Sequence, residues 1–362
     1  MRFFSTLAVL ATASVSAFAA SSDDHTNAPG FKNVIKPKFP LRILLSNDDS
    51  WASSNIRSTY YALKTAGHKV LMVAPVVNQS GKGGTVVLPG VPTLTTPGRD
   101  NSVPAGAPYH GAEPFDAGIT YVNATPGGSV LYGLDQVVPG FKDFDGKAPQ
   151  LTVSGPNEGT NLGPFLYTLS GTIGASYIST ERGIPGIAFS ASTNPRDYHV
   201  VDWNNPSDEG VILGTYTANL VSALTYALDQ NADPIIPYGI GGNVNFGKNV
   251  ADSKACPHPN WQLTRLTGGA YVDKIVIGSN GLPTYQNIVS PGLNQCYNGD
   301  CNLTGEQDAI NKDNCSATVS IYSVDYDAPT SAFTKAKPQF QQTLQRLSNN
   351  KPSKRHTLSR ED

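Results

Sequence analysis

The chain has 362 residues, with 26 Lys+Arg against 28 Asp+Glu, a formal net charge of −2, and 15% charged residues in all. That balance gives no global attraction to a nucleic-acid backbone and is too sparse in charge for a long coiled coil. The apolar runs described below exclude a wholly disordered chain, and 35 Gly with 27 Pro assign much of the length to loops.

Residues 1–19 read as an export signal. Arg2 supplies a positive start, Leu7 to Val15 is apolar or small, and Ala17-Phe18-Ala19 is a small-x-small cleavage pattern followed at once by polar Ser21 to His25. A secreted, extracellular protein is expected, with residues 20–40 as a polar leader. No later apolar run reaches the roughly 20 residues that cross a bilayer, so neither a membrane partner nor a nucleic-acid partner is expected.

The folded part opens at Leu41-Arg42-Ile43-Leu44-Leu45-Ser46, a continuous apolar run typical of a strand covered on both faces. Residues 53–66 carry Ile56, Tyr60, Leu63 and Ala66 at helical spacing and stop at Gly67, and Lys69 to Val73 is a second strand, completing a βαβ unit. Residues 81–111, rich in Gly, Pro and Thr, read as a long excursion with one hairpin. Pro114 to Val122 is predicted helical, with Phe115, Ile119 and Val122 on one face. Leu151 to Val153 is a third strand, Phe165 to Thr180 a helix of small residues, Ile184 to Ser190 a strand and Val211 to Leu228 a long helix. The pattern defines an α/β fold with a mostly parallel sheet over 41–232. From 233 to 330 short strand-like runs (Trp261 to Leu266, Val272 to Ile277, Ala317 to Val324) form a strand-rich C-terminal extension. Residues 331–362 comprise a helix, interrupted or kinked at Pro338, and a mobile tail from Lys351.

The four cysteines, Cys256, Cys296, Cys301 and Cys315, predict two disulfides in an exported chain, with three pairings open. Without a compact Cys-x-x-Cys, zinc is the weaker reading. Sequons at Asn123, Asn302 and Asn314 are expected glycan sites.

Chemistry-bearing residues gather just after successive strands, where open parallel sheets bind ligands. Asp48 and Asp49 follow the first strand, and two adjacent carboxylates call for a positive neighbour, for which a hard divalent cation is one solution. Ser80, in Ser80-Gly81-Lys82-Gly83-Gly84, follows the second strand in an amide-rich loop that lacks the Walker A pattern. Ser154-Gly155-Pro156-Asn157-Glu158-Gly159-Thr160-Asn161-Leu162-Gly163 follows the third, offering Asn157 as a neutral oxygen ligand and Asn161 as a brace. Ser170-Gly171-Thr172 opens a helical segment suited to phosphate oxygens.

Together, Ser46-Asn47-Asp48-Asp49, Ala74-Pro75 with Ser80-Gly81, Ser154-Gly155-x-Asn157-x-Gly159-x-Asn161-Leu162-Gly163, Ser170-Gly171-Thr172 and Asn243-Val244-Asn245-Phe246 resemble the motifs of the stationary-phase survival protein family, SurE. The resemblance runs from Leu41 to the early 320s across long insertions. It implies a Rossmann-like three-layer sandwich and a metal-dependent phosphatase or nucleotidase acting on a small phosphorylated substrate. It further implies one divalent cation, Mg²⁺ or Mn²⁺ ahead of Ca²⁺, held by Asp48, Asp49, Ser80 and Asn157. Ser170, Gly171 and Thr172 are the implied phosphate contacts, Asn47 and Asn161 the supporting residues, and Asp48 and Asp49 the catalytic pair. A homodimer is implied as well.

The family pattern places Gly after the acidic pair, where this chain has Ser50 and then Trp51, and Asn55 replaces a second glycine. Trp51 is accordingly expected in the mouth of the pocket. With the export signal and the cysteines, the departures suggest a secreted eukaryotic, fungal branch. A Ser-His-Asp hydrolase finds no Gly-x-Ser-x-Gly elbow. The rival from another class is a secreted binding protein that keeps the fold without turnover, motivated by Trp51 and the 81–111 excursion.

Overall fold

The computed structural model describes residues 24–230, 232–266, 273–287, 303–325, 327 and 330–349. The expected export signal, Cys296, Cys301, the Asn302 sequon and the expected tail from Lys351 lie outside these described residues.

The first βαβ unit forms as its residues dictate: β1 (Arg42–Ser46), α1 (Ser54–Ala66) and β2 (Lys69–Pro75). Gly67 ends α1 at φ +105°, a conformation costly for any other residue, and donates its N–H to the Leu63 and Lys64 carbonyls. Then follow β3 (His110–Ala112), β4 (Ile119–Val122), α2 (Pro126–Tyr132), β5 (Leu151–Glu158), α3 (Gly163–Leu169), α4 (Gly171–Glu181), β6 (Gly186–Ala191) and α5 (Glu209–Leu224). The later elements are β7 (Ile240–Phe246), β8 (Asn260–Thr264), β9 (Asp273–Ile277), β10 (Pro283–Asn287), α6 (Glu306–Lys312), β11 (Ser316–Ser323) and α7 (Thr330–Asn349).

Among the described residues nine strands form one sheet, in the order β3-β4-β2-β1-β5-β6-β7-β11-β8. From β4 to β7 every neighbouring pair is parallel, whereas β3 and β11 run antiparallel to β4 and β7. The strands β7, β11 and β8, beyond residue 233, thus continue the main sheet, and β9–β10 is a separate antiparallel pair. One face buries Ile43, Leu45, Met72, Val153 and Phe189 with Ile56, Tyr60 and Leu63 of α1 and Val211 and Ala218 of α5. The other buries Leu44, Leu71, Val73 and Val122 with Val130 of α2 and Ala175 of α4. The fold is therefore a three-layer α/β sandwich with a mostly parallel sheet and added strands. Among the described residues no helix is long and apolar enough to cross a membrane.

Three expectations are corrected. Pro114 to Val122 is not a helix: Asp116 closes a turn by accepting the Gly118 and Ile119 N–H groups, and Ile119–Val122 becomes β4, buried throughout. Its β-branched and aromatic residues suit a strand covered on both faces, which shows no alternation to read. The segment from Phe165 to Thr180 is two helices, broken at Ser170, whose extended backbone and side chain cap α4. Trp51 is 6% exposed and sits in the core against Tyr121, its Nε1–H donating to Ser102 Oγ at 3.0 Å.

Other details sharpen the reading. The excursion folds back through an antiparallel bridge, Thr93 to Pro108, and α7 runs through Pro338. Cys256 and Cys315 are disulfide-bonded across 59 residues, tying the β7–β8 connection to the start of β11.

Candidate active site

The strand order itself creates the site. The chain leaves β1 toward β2 on one side, while β5 pairs with β1 on the other. This is the switch point of the sheet, beyond the carboxyl ends of β1 and β5, where open α/β sheets bind ligands.

Asn47, Asp48, Asp49 and Ser50 occupy the turn after β1, all buried. The turn is held by Asn47 Nδ2 donating to the Ser50 carbonyl at 3.0 Å and by Ser50 Oγ donating to the Val76 carbonyl at 3.2 Å. Ser50 adopts φ 112°, a region that favours glycine, at the position where the family pattern has Gly. The backbone shape is thus kept without the glycine, and strain is the consequence.

Asp48 Oδ1 accepts from Thr172 Oγ1 at 2.5 Å. A Cβ built on Gly171 would lie 2.9 Å from Asp48 Cβ, so only glycine lets the first turn of α4 approach the carboxylate this closely. Asp49 Oδ2 accepts the Glu158 N–H at 2.9 Å. Burial raises the Asp48 pKa, and burial followed by the charges of Asp48 and Glu158 raises that of Asp49 well above the ordinary carboxylate value. Two adjacent carboxylates therefore share a recess that is unfavourable for their charge.

Asn157 projects from the end of β5, its Nδ2 donating to the Gly159 carbonyl at 2.7 Å. Its Oδ1 is buried without a hydrogen-bond partner, as is Asn47 Oδ1. An unpaired buried acceptor is costly, and amide oxygens of this kind, on the turn that carries Asp48 and Asp49 and on the loop bonded to Asp49, fit the oxygen ligation of a hard divalent cation. Among the described residues no group of three His, Cys, Asp or Glu side chains is placed to hold a metal. An ion here would thus draw on amide and hydroxyl oxygens beside Asp48 and Asp49.

Ser80 is exposed, its N–H donating to Asn78 Oδ1, and it lies one residue beyond the bond from Gln79 N–H to the Asp48 carbonyl. Ser170 caps α4 by accepting the Ile173 N–H at 3.3 Å. Asn161 lies beneath the loop: its Nδ2 donates to Ser190 Oγ, and its carbonyl accepts from Asn243 and Asn245 Nδ2. The structure thus joins Asp48 directly to Thr172 and packs it against Gly171, and it ties Asp49 to the Asn157 loop. Ser80 stands outside the buried group.

Two residues at the site escaped the sequence reading. Glu158 lies inside the Asn157 motif, where its neighbours concealed it. Arg99, from the excursion, donates to both Glu158 carboxylate oxygens and to the Asp49 carbonyl. No local spacing announces Arg99.

A profile of the family described as "Survival protein SurE" matches residues 43–272. The chain belongs to the SurE family. An acid phosphatase from Yarrowia lipolytica is 40% identical over 344 residues, covering 92% of this chain and 94% of that protein. A 5′-nucleotidase SurE from Gloeobacter violaceus is 35% identical over 159 residues, 43% of this chain and 52% of its own length. The chain thus spans about half the length of that bacterial relative. The crystal structure of the SurE protein from Aquifex aeolicus matches with a TM-score of 0.54 at 22% identity, covering 83% of this chain and 99% of that one, and this likeness concerns the fold.

Proposed function

We propose that this SurE-family protein is a secreted phosphomonoester hydrolase of the fungal branch, dependent on one divalent cation and working as a homodimer. Kinship with an acid phosphatase and with 5′-nucleotidases supports hydrolase chemistry of the phosphomonoesterase type in general terms. The observation that carries the reading is the pair of adjacent buried carboxylates, with Asp48 held against the first turn of an 11-residue helix and Asp49 bonded to the loop of the unpartnered Asn157 amide oxygen.

Asp48, Asp49, Asn157 and, through its hydroxyl, Ser80 would hold the ion, with Mg²⁺ and Mn²⁺ ahead of Ca²⁺ for this oxygen set. When bound, the ion would supply Lewis-acid polarisation of the phosphoryl group and lower the pKa of the attacking water. Ser170, Gly171 and Thr172 would contact the remaining phosphate oxygens from the first turn of α4, aided by the positive end of that helix. Thr172 fixes the orientation of Asp48, and the Glu158 N–H fixes one oxygen of Asp49. The other oxygen of Asp49 remains to ligate or to accept a proton from water. Asn47 and Asn161 hold the two loops in register.

The decisive experiment measures phosphate release from p-nitrophenyl phosphate and from nucleoside monophosphates, with EDTA and then with Mg²⁺ or Mn²⁺ restored. Turnover lost on chelation and regained on addition supports the reading. Asp49→Ala is expected to lower kcat/KM about 10³-fold, the several kcal/mol that charge neutralisation contributes, and full turnover in that variant would defeat it. With Trp51 buried in the core, the binding-protein alternative loses the mouth-blocking residue that motivated it.

A further inference from the structure

We infer that Arg99, contributed by the 81–111 excursion, is a positioning residue for Asp49. The inference rests on the phosphatase reading and adds to it a part of the chain that lies outside every motif.

Three segments meet at this guanidinium. Arg99 Nη1 donates to the Asp49 carbonyl at 2.8 Å and to Glu158 Oε2 at 3.0 Å, while Nη2 donates to Glu158 Oε1 at 2.9 Å. The Glu158 N–H in turn donates to Asp49 Oδ2. The circuit closes: Asp49 is gripped at its carbonyl by Arg99 and at its carboxylate by Glu158, and the same Arg99 holds Glu158. The Glu158 side chain is 3% exposed and also accepts from Ser53 Oγ at 2.8 Å and from the Arg196 N–H at 3.3 Å. Glu158 is thus turned from the ion's ligand shell into a strut, and its charge is matched by Arg99 in planar, two-point geometry that a lysine cannot reproduce.

The excursion is anchored for this task. The Arg99 N–H donates to the Val76 carbonyl, which also accepts from Ser50 Oγ, and Ser102 Oγ accepts from Trp51 Nε1. Two of the departures from the family pattern thus meet the excursion beside Asp49: Trp51 bonds to its Ser102, and Ser50 shares the Val76 carbonyl with Arg99.

The test compares wild type with Arg99→Lys and Arg99→Ala, measuring kcat and KM on p-nitrophenyl phosphate, the Mn²⁺ dissociation constant by calorimetry, and the melting temperature. Arg99→Lys keeps the charge and is expected to fold. Loss of the fork is expected to weaken Mn²⁺ binding and lower kcat each about tenfold, with KM nearly unchanged. Added guanidinium ion restores part of the kcat of folded Arg99→Ala. Variants that bind Mn²⁺ and turn over like wild type while melting lower overturn the inference, since a purely structural arginine would do only that. A wild type that binds Mn²⁺ without hydrolysing any phosphomonoester defeats the phosphatase reading, and the Mn²⁺ constants of the variants still decide the role of Arg99.

Discussion

A single methyl group at residue 171 tests the geometry of the site. A Cβ there would lie 2.8 Å from Pro126 Cγ, 2.9 Å from Asp48 Cβ and 3.2 Å from Asp48 Oδ2. Ordinary carbon contacts begin near 3.5 Å, so the start of α4 and the Asp48 turn must part by roughly 0.5–1 Å. Neither yields cheaply, because Asp48 and Asp49 sit in a buried turn and Thr172 is bonded to Asp48. Overpacking of this kind costs about 1–3 kcal/mol, partly offset by up to about 1 kcal/mol from replacing glycine in a helix. Gly171→Ala should therefore melt only a few degrees lower. Its kcat/KM should fall about a hundredfold, the effect of a displacement near 1 Å between reacting groups. Phosphate-release kinetics with saturating Mn²⁺, together with a thermal melt, read both quantities. A variant with kcat/KM within twofold of wild type and an unchanged melting temperature would refute the close approach of α4 to Asp48.

Further predictions concern stability. At residue 50, where φ is 112°, Ser50→Gly relieves backbone strain that Ser50→Ala retains, and both lose the hydroxyl bond to Val76. The Gly variant should be more stable than the Ala variant by about 1 kcal/mol in urea titrations, and equal midpoints would contradict the strain. Glu306, fully buried among the neutral donors Gly163 N–H, Asn243 Nδ2 and Ser320 Oγ, is raised by burial to a pKa of about 7. The folded state then holds the extra proton between pH 4.5 and 7, so the contribution of Glu306 is most favourable below 4.5 and is lost as pH rises through 7. The stability of Glu306→Gln minus that of wild type should increase by about 3 kcal/mol over that window, and a pH-independent difference would count against it. His68 acts in the opposite sense: burial lowers it to about 4, and its contribution is lost as pH falls from 6.5 toward 4. An Asn replacement should flatten that acid limb in denaturation curves. Removing the Cys256–Cys315 bridge by paired Ala substitutions should cost about 4 kcal/mol for a 59-residue loop, measured as a shift in the urea midpoint without reductant.

Much of the molecule is written locally. Leu41 to Ser46, the 3.6-residue spacing of Ile56, Tyr60 and Leu63, and Gly67 after them specify strand, helix and stop within a few residues, because apolar period and glycine conformation act at that range. The adjacency of Asp48 and Asp49 and the spacing of Asn157 to Asn161 likewise survive in one dimension. What only the tertiary structure decided is which of these residues touch. Ile119–Val122 became β4 because β2 offered it a pairing edge, and Trp51 turned inward because Tyr121 and Ser102 received it. Glu158 became a strut because an arginine 59 positions earlier reached it. Glu306, 143 residues beyond Gly163 in the strand-rich extension, carries no local signal, yet its carboxylate supports the loop that carries Asn157. Hydrogen bonds and ion pairs bridging such separations leave no periodic trace, since they depend on where the sheet brings distant segments together and on the burial that makes each unpaired polar group costly.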